Sequence, residues 1–259
     1  MSSPLLVLVP GAFGTPEGFS KLTPHLLQGI QTYPGGYPSC NHPDPANADC
    51  SEDVAALRKT LVSLLDGDYD EKKKRDIVIL AHSYGGVVAG GAAKGLDRES
   101  RDEKGFGNAV VGLVYLAGNI TLEGESLLDA IGGSYPPFIK SDKPSEGYAV
   151  IEPARDILYN DVVEWDPELD KSMQPHALRA FETKAPAPAW MDRGFDGRRV
   201  YIRTSNDQCN PTFVQDLWIE KTGVEWNVVH LETGHMPFIS RPEELGSKVV
   251  EAVNGFRKL

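Results

Sequence analysis

Ala81-His-Ser-Tyr-Gly-Gly86 is the stretch of this sequence that decides its fold. The apolar, β-rich run Asp76-Ile-Val-Ile-Leu80 precedes it, and a run of small residues continues after it to Ala93. A serine with Ala or Gly two residues away on each side, between a strand and a helix, is typical of a nucleophile elbow. In that sharp turn small flanking residues avoid a clash, and the serine hydroxyl is lifted clear of the sheet. The pattern predicts Ser83 as a nucleophile.

The rest of the chain alternates between candidate strands and candidate helices. Six runs rich in aliphatic and β-branched residues predict strands: Leu5–Val9, Gln31–Tyr33, Ile77–Leu80, Val110–Leu116, Val200–Thr204 and Val228–Leu231. Apolar residues three or four apart over Val54–Leu65 predict a helix that ends at Gly67, and Pro211–Lys221 and the C-terminal residues predict two more. This alternation predicts an α/β fold with a mostly parallel, doubly wound sheet of six strands.

Residues 121–189 break the alternation. They contain many prolines, no clear strand and scattered large apolar side chains such as Trp165 and Phe181. A loop of that length without structure of its own is uncommon in a compact domain. We therefore predict a mainly helical cap, called the cap segment below, inserted into an α/β core of residues 1–120 and 190–259.

The composition narrows the range of partners. A net charge of −11 argues against nucleic acid or an anionic membrane. Three cysteines are too few for a disulfide framework, and the prolines between Cys40 and Cys50 indicate a loop and not a metal site. Leu5–Val9 is too short for a signal peptide, and no run reaches the ~20 apolar residues of a membrane span. We expect a cytoplasmic protein without a metal.

A serine hydroxyl needs a neighbouring base to become a good nucleophile. The loop after the last predicted strand holds His235, and the glycine before it would let the imidazole bend back towards Ser83. Asp207 follows the preceding strand and is the predicted acid, because nucleophile–acid–histidine is the expected chain order. Glu123, after an earlier strand, is the alternative acid.

Acyl transfer also needs hydrogen-bond donors for a developing oxyanion. The backbone N–H of Tyr84, the residue after the nucleophile, is predicted to be one donor. The other is expected from the loop Val9-Pro-Gly-Ala-Phe-Gly14, where Gly11 allows close backbone approach. Ala12 is the first choice for this donor and Phe13 the second.

The segments Val9-Pro-Gly-Ala-Phe13 and Ala81–Gly86, with those around Asp207 and His235, resemble the small α/β-hydrolases related to plant methylesterases and hydroxynitrile lyases. The resemblance covers essentially the whole chain, and the fungal and bacterial members with a V-P-G-A start are the most similar. It implies the α/β-hydrolase fold, a Ser-His-Asp triad, no cofactor and an apolar pocket enclosed by the cap.

Three functions are compatible with these residues. The first hypothesis is hydrolysis of a carboxylic ester or lactone through an acyl-Ser83 intermediate, on a hydrophobic small molecule of secondary metabolism. A lyase or cyclase is the second, although hydroxynitrile lyases of this kind place a lysine and a threonine where this chain has Met236 and Gly11. A non-enzymatic receptor is the third, because a fold does not fix a function. A small-molecule substrate is the expected partner, and a homodimer is left open.

The substrate pocket is predicted to include six residues: Gly11, Phe138, Tyr159, Trp165, Met173 and Met236. His176, in the cap segment, is a candidate for the pocket wall, and His82 is predicted to point away from the nucleophile.

Overall fold

The structure is a computed structural model that describes residues 3–26, 29–67, 75–164 and 166–259. Its strands are β1 (Leu5–Val9), β2 (Thr32–Pro34), β3 (Ile77–His82), β4 (Val110–Leu116), β5 (Ile139–Ser141), β6 (Tyr148–Ile151), β7 (His176–Ala177), β8 (Arg199–Thr204) and β9 (Asn227–Leu231). Its α-helices are α1 (Cys50–Asp66), α2 (Gly85–Ala92), α3 (Arg98–Asp102), α4 (Leu127–Ala130), α5 (Ala154–Leu158), α6 (Glu168–Ser172), α7 (Leu178–Glu182), α8 (Thr212–Lys221), α9 (Pro237–Ser240) and α10 (Pro242–Phe256). Short 3-10 turns occupy several of the connections.

Six strands form one sheet in the order β2-β1-β3-β4-β8-β9. Every neighbouring pair in it is parallel, and each of the six predicted strands is present within about two residues of its predicted bounds. The central strands β3 and β4 are buried along their whole length, as expected when helices cover both faces of a parallel sheet. The predicted fold is confirmed.

Helix α1 illustrates how local sequence signals set the elements of the core. The side chain of Asp49 caps its first turn by accepting hydrogen bonds from the N–H groups of Ser51 and Glu52. Gly67 ends it in the left-handed region, with φ of 76°. Leucines on one face of the helix are buried in the core. The predicted end at Gly67 is confirmed, and the helix begins at Cys50, four residues before the predicted apolar run.

The cap segment contains three short strands where the sequence showed no clear strand, although its helices hold more residues than its strands. β5, β6 and β7 form a small antiparallel sheet, which lies among four helices of four or five residues each. Strands of two to four residues are too short for an alternating pattern to be visible in the sequence. The segment is thus a chain of short elements that pack on the core.

The parallel sheet brings the carboxyl ends of its strands to one edge. The loops that follow β1, β3, β4, β8 and β9 carry the residues Ala12, Ser83, Asn119, Asp207 and His235, respectively. Ligand sites of open α/β sheets lie at this edge. Within the described ranges, none of the helices has the length and apolar character needed to cross a membrane.

Candidate active site

Ser83 lies on the sharp turn that the sequence predicts between β3 and α2. Its φ of 49° is in the left-handed region, which non-glycine residues seldom adopt. Two glycines let the loop after β1 approach this turn. A Cβ on Gly11 would lie 2.8 Å from Cβ of Ser83, and a Cβ on Gly85 would collide with the carbonyl oxygen of Pro10. The strained turn is therefore held by closely packed backbone on both sides.

Asp207 and His235 form a buried pair. Oδ2 of Asp207 lies 2.8 Å from Nδ1 of His235 and also accepts from the hydroxyl of Thr204 at 2.8 Å. Oδ1 accepts from the N–H groups of Cys209 and Asn210 at 2.9 and 2.8 Å. These donors fix the carboxylate, and a proton on Nδ1 of the imidazole leaves Nε2 without one. That is the tautomer a general base requires.

The carboxylate also changes the proton affinity of the imidazole. Burial alone would lower the pKa of His235, but the charge of Asp207 and its hydrogen bond, together with the nearby Cys209, raise it well above its ordinary value. Glu123, the alternative acid, is exposed at the surface, so the structure brings Asp207 and not Glu123 to the histidine.

His82 contacts both the backbone and the ring of His235. Its Nε2 lies 2.9 Å from the carbonyl oxygen of His235, and the two ring centroids are 4.6 Å apart. Burial, with a contribution from the charge of His235, holds the pKa of His82 well below its usual value. His82 is therefore a neutral, buried imidazole that packs against His235.

All three candidate oxyanion donors, Ala12, Phe13 and Tyr84, line the same cavity as Ser83 and His235. Phe13 is the second choice for the oxyanion donor from the loop after β1, but its N–H group makes a different contact from the one predicted. Its N–H points to Nδ1 of His176 at 3.4 Å, so that group is engaged elsewhere.

Asn119 is a site residue that the sequence reasoning did not identify. Its N–H donates to the carbonyl oxygen of Ser83 at 2.8 Å, and its side-chain Oδ1 lies 3.5 Å from the serine hydroxyl. It is buried and lines the cavity. Its place at the end of β4 was the available signal, because polar residues at such strand ends meet at one edge of the sheet.

A cavity of about 890 Å³ opens onto Ser83 and His235. Apolar side chains from the core and the cap segment make up much of its wall, including Leu127, Phe138, Ile151, Leu158, Met236 and Trp218. Of the predicted pocket residues, Phe138 and Met236 lie here.

The other predicted pocket residues lie elsewhere. Gly11, Tyr159 and Met173 line a second cavity of about 210 Å³, in which the Tyr159 hydroxyl lies 3.1 Å from the Met173 sulfur. Trp165 lies outside the described residues. His176 is fully buried and lines neither cavity.

The described residues contain no group of three or more His, Cys, Asp or Glu side chains that could hold a metal ion. The three cysteines are free thiols. Burial raises the pKa of Cys40 and of Cys50 to about 12, so neither is a reactive thiolate near neutral pH.

The model of the alpha/beta hydrolase family matches residues 6–247. The chain belongs to this family. The resemblance inferred from the sequence motifs is confirmed, and hydrolases among the relatives support hydrolase activity.

The relatives are distant but extend over most of the chain. An alpha/beta hydrolase, nvfD, of Aspergillus novofumigatus is 27% identical over 251 residues, which is 94% of each protein. A carbendazim hydrolyzing esterase of a Nocardioides species is 25% identical over 71% of this chain and 74% of its own. Among solved structures, the methylesterase MES16 of Arabidopsis superposes with a TM-score of 0.67 at 22% identity, covering 97% of this chain and 99% of that one.

Proposed function

We propose that this protein hydrolyses a carboxylic ester or lactone of a hydrophobic small molecule through an acyl-Ser83 intermediate. The observation that carries the proposal is the Asp207–His235 pair, joined at 2.8 Å, at the same cavity as a serine on a strained turn. A serine near a histidine that an acid orients is the arrangement that acyl transfer uses on many unrelated folds.

In the first step the Ser83 oxygen attacks the carbonyl carbon of the ester, and its proton passes to Nε2 of His235. Asp207 stabilises the resulting imidazolium without taking a proton. The carbonyl oxygen becomes an oxyanion, which the N–H groups of Ala12 and Tyr84 bind.

In the second step the tetrahedral intermediate collapses, and its bond to the alcohol oxygen breaks. The alcohol leaves with the proton from His235. Water then attacks acyl-Ser83 with His235 again as the base, so the acid is released and the serine hydroxyl is restored. A lactone follows the same steps, with both products in one molecule.

The cavity supports the proposed substrate class. Its volume of about 890 Å³ is in the upper part of the range for small-molecule sites, and its wall is rich in apolar side chains. We propose that the cap segment forms the lid over this cavity, because Leu127, Phe138 and Leu158 of the segment share the cavity with Ser83.

The test is hydrolysis of p-nitrophenyl esters by the wild-type protein and by Ser83→Ala. We expect kcat to fall by roughly 10⁴–10⁶ in the variant, because the covalent route is lost while the fold is kept. A fluorophosphonate should label the wild-type protein at Ser83 and leave the variant unlabelled. Retention of most activity by Ser83→Ala would remove the acyl-enzyme mechanism and favour the lyase or cyclase alternative, in which the pocket only shapes the substrate.

A further inference from the structure

A buried carboxylate lies behind the candidate oxyanion hole. Asp53, in the first turn of α1, is fully buried and accepts three hydrogen bonds. The N–H and hydroxyl of Ser39 donate to it at 2.9 and 2.6 Å, and the phenol of Tyr84 donates at 2.8 Å. No ion pair to Asp53 occurs within the described ranges, and burial raises its pKa to about 6.

A second path leads from the same carboxylate to the loop after β1. The N–H of Phe13 points to Nδ1 of His176, so Nδ1 is the acceptor and Nε2 carries the hydrogen. Nε2 lies 3.0 Å from the hydroxyl of Ser39, which gives its own hydrogen to Asp53. Along this series of hydrogen bonds, every donor is therefore directed towards the Asp53 carboxylate. Burial lowers the pKa of His176 to about 3, which keeps the ring neutral as this arrangement requires.

Backbone hydrogen bonds hold His176 in this position. The N–H of Asn41 donates to the carbonyl of Pro175 at 2.7 Å, and the N–H of Ala177 donates to the carbonyl of Ser39 at 3.0 Å. On the other side, the N–H of Gln174 donates to the carbonyl of Phe13 at 2.8 Å. The backbone of Phe13 is thus bound through both its polar groups, and its φ of 65° is held in the left-handed region.

We propose that Asp53 is a positioning residue for the oxyanion hole. It holds Tyr84 directly through the phenol, and it holds the peptide next to Ala12 through Ser39, His176 and Phe13. The predicted oxyanion donors are the N–H groups of Ala12 and Tyr84, and one of them lies at the end of each path. The position of the Asp53 carboxylate therefore sets the distance between the two donors. This inference rests on the proposed hydrolysis through Ser83.

A role limited to stability explains the carboxylate less well. Burying an ionised carboxylate is costly, and replacing such a group with a well-packed apolar side chain is often neutral or stabilising. A group that sets the position of an oxyanion donor contributes to the rate even where it adds nothing to stability, because a small displacement of such a donor is expensive in rate.

The test uses Asp53→Asn, which keeps the size of the side chain, and Ser39→Ala, which breaks only the path to Phe13. Removal of an oxyanion donor costs about 10²–10³ in kcat, so we expect displacement of one to cost roughly 10–100-fold. KM for p-nitrophenyl butyrate should stay within about twofold of wild type, since the cavity wall is unchanged.

A pair of ketones separates oxyanion binding from general binding. An alkyl trifluoromethyl ketone adds the Ser83 oxygen to its carbonyl carbon, with the serine proton passing to His235, and so places an oxyanion in the hole. The methyl ketone of the same chain length binds without that bond. In Asp53→Asn the affinity for the trifluoromethyl ketone should fall by the same factor as kcat/KM, while the affinity for the methyl ketone is unchanged.

Val253→Ala is the control for lost stability, because this buried residue of α10 lies away from both cavities. It should lower Tm and leave kcat and both affinities unchanged below its unfolding temperature. The inference is overturned if Asp53→Asn and Ser39→Ala behave like Val253→Ala, or if both ketones lose affinity equally. Full activity of Ser83→Ala would instead overturn the proposed function, so the two failures are distinguishable.

Discussion

The α/β core and the cap segment support the candidate site in different ways. The core places its residues by local backbone geometry: each lies one loop beyond the end of a parallel strand, and Gly11 and Gly85 let two of these loops touch. The cap segment instead holds these loops from outside by hydrogen bonds. Gln174 and His176 bind Phe13 in the loop after β1.

The same pattern occurs at the loops after β8 and β9. Asn160 donates to the carbonyl of Asn206, beside Asp207, at 2.9 Å. Asp161 accepts from the N–H of Gly234, beside His235, at 2.8 Å. The comparison teaches that the core determines which groups meet, whereas the cap segment restrains the loops that present them. Changes in the core should therefore have larger effects than changes in the cap segment.

The largest effect is expected in the core, at Asp207→Asn. The carboxamide favours the wrong tautomer of His235, so kcat should fall by roughly 10³–10⁴ with little change in KM. The acidic limb of the kcat/KM profile rises as His235 loses its proton. Because the Asp207 charge raises the pKa of His235, its removal should move that limb to lower pH. Rates measured from pH 4 to 9 check both effects.

Glu123→Gln is the matched control, since Glu123 is the alternative acid and is exposed. It should keep the wild-type rate and pH profile. A large loss in Glu123→Gln with a nearly silent Asp207→Asn would reverse the assignment of the acid.

An intermediate effect is expected where the cap segment holds the histidine loop. Asp161→Ala leaves the N–H of Gly234 without its partner, and loss of a partner for a buried donor costs about 1–3 kcal/mol. If that restraint serves catalysis, kcat should fall by about 30-fold for small and large esters alike. Steady-state rates on p-nitrophenyl acetate and decanoate measure this.

Two variants of the same contact sharpen the test. Asp161→Asn keeps one acceptor oxygen and should recover much of the rate. Ser240→Ala removes the other hydrogen bond to the Asp161 carboxylate, at 2.8 Å, and leaves the one to Gly234. It should therefore stay near wild type, and an equal loss in Ser240→Ala and Asp161→Ala would assign Asp161 to the stability of the fold alone.

The sequence predicted the core well because its signals are local. Continuous apolar runs such as Leu5–Val9 predicted buried strands, and Gly67 marked the end of α1. The strands of the cap segment escaped prediction because they contain two to four residues each. Periodicity cannot be recognised over so few positions.

The candidate site likewise contains residues that the sequence predicted and residues that it did not. Ser83, Asp207 and His235 follow predicted strands, so the topology alone was enough to bring them to one edge. The chain from Asp53 to Phe13 was not predictable, because His176 is 163 residues from Phe13 and 137 from Ser39 in sequence. Only the fold brings such distant polar residues together, and nothing in their local sequence marks them as partners.

The smallest effect is expected at the cavity wall. The structure places in different cavities two residues that the sequence assigned to one pocket. Phe138 lines the cavity of Ser83, and Met173 lines the second cavity. Apolar contacts in a pocket discriminate by about 1–3 kcal/mol per methylene-sized change, and Phe138 is only half-buried. We therefore expect Phe138→Ala to lower kcat/KM for p-nitrophenyl decanoate by about tenfold, and for the acetate by less than about twofold.

Met173→Ala is the control. It should leave the ratio of kcat/KM for the two esters unchanged, because the long acyl chain does not reach its cavity. Equal losses on both esters in Phe138→Ala would mean that this part of the cap segment supports the fold and not substrate choice. A changed ratio in Met173→Ala would mean instead that the acyl chain enters the second cavity, between Ala12 and Met236, the two residues that line both cavities.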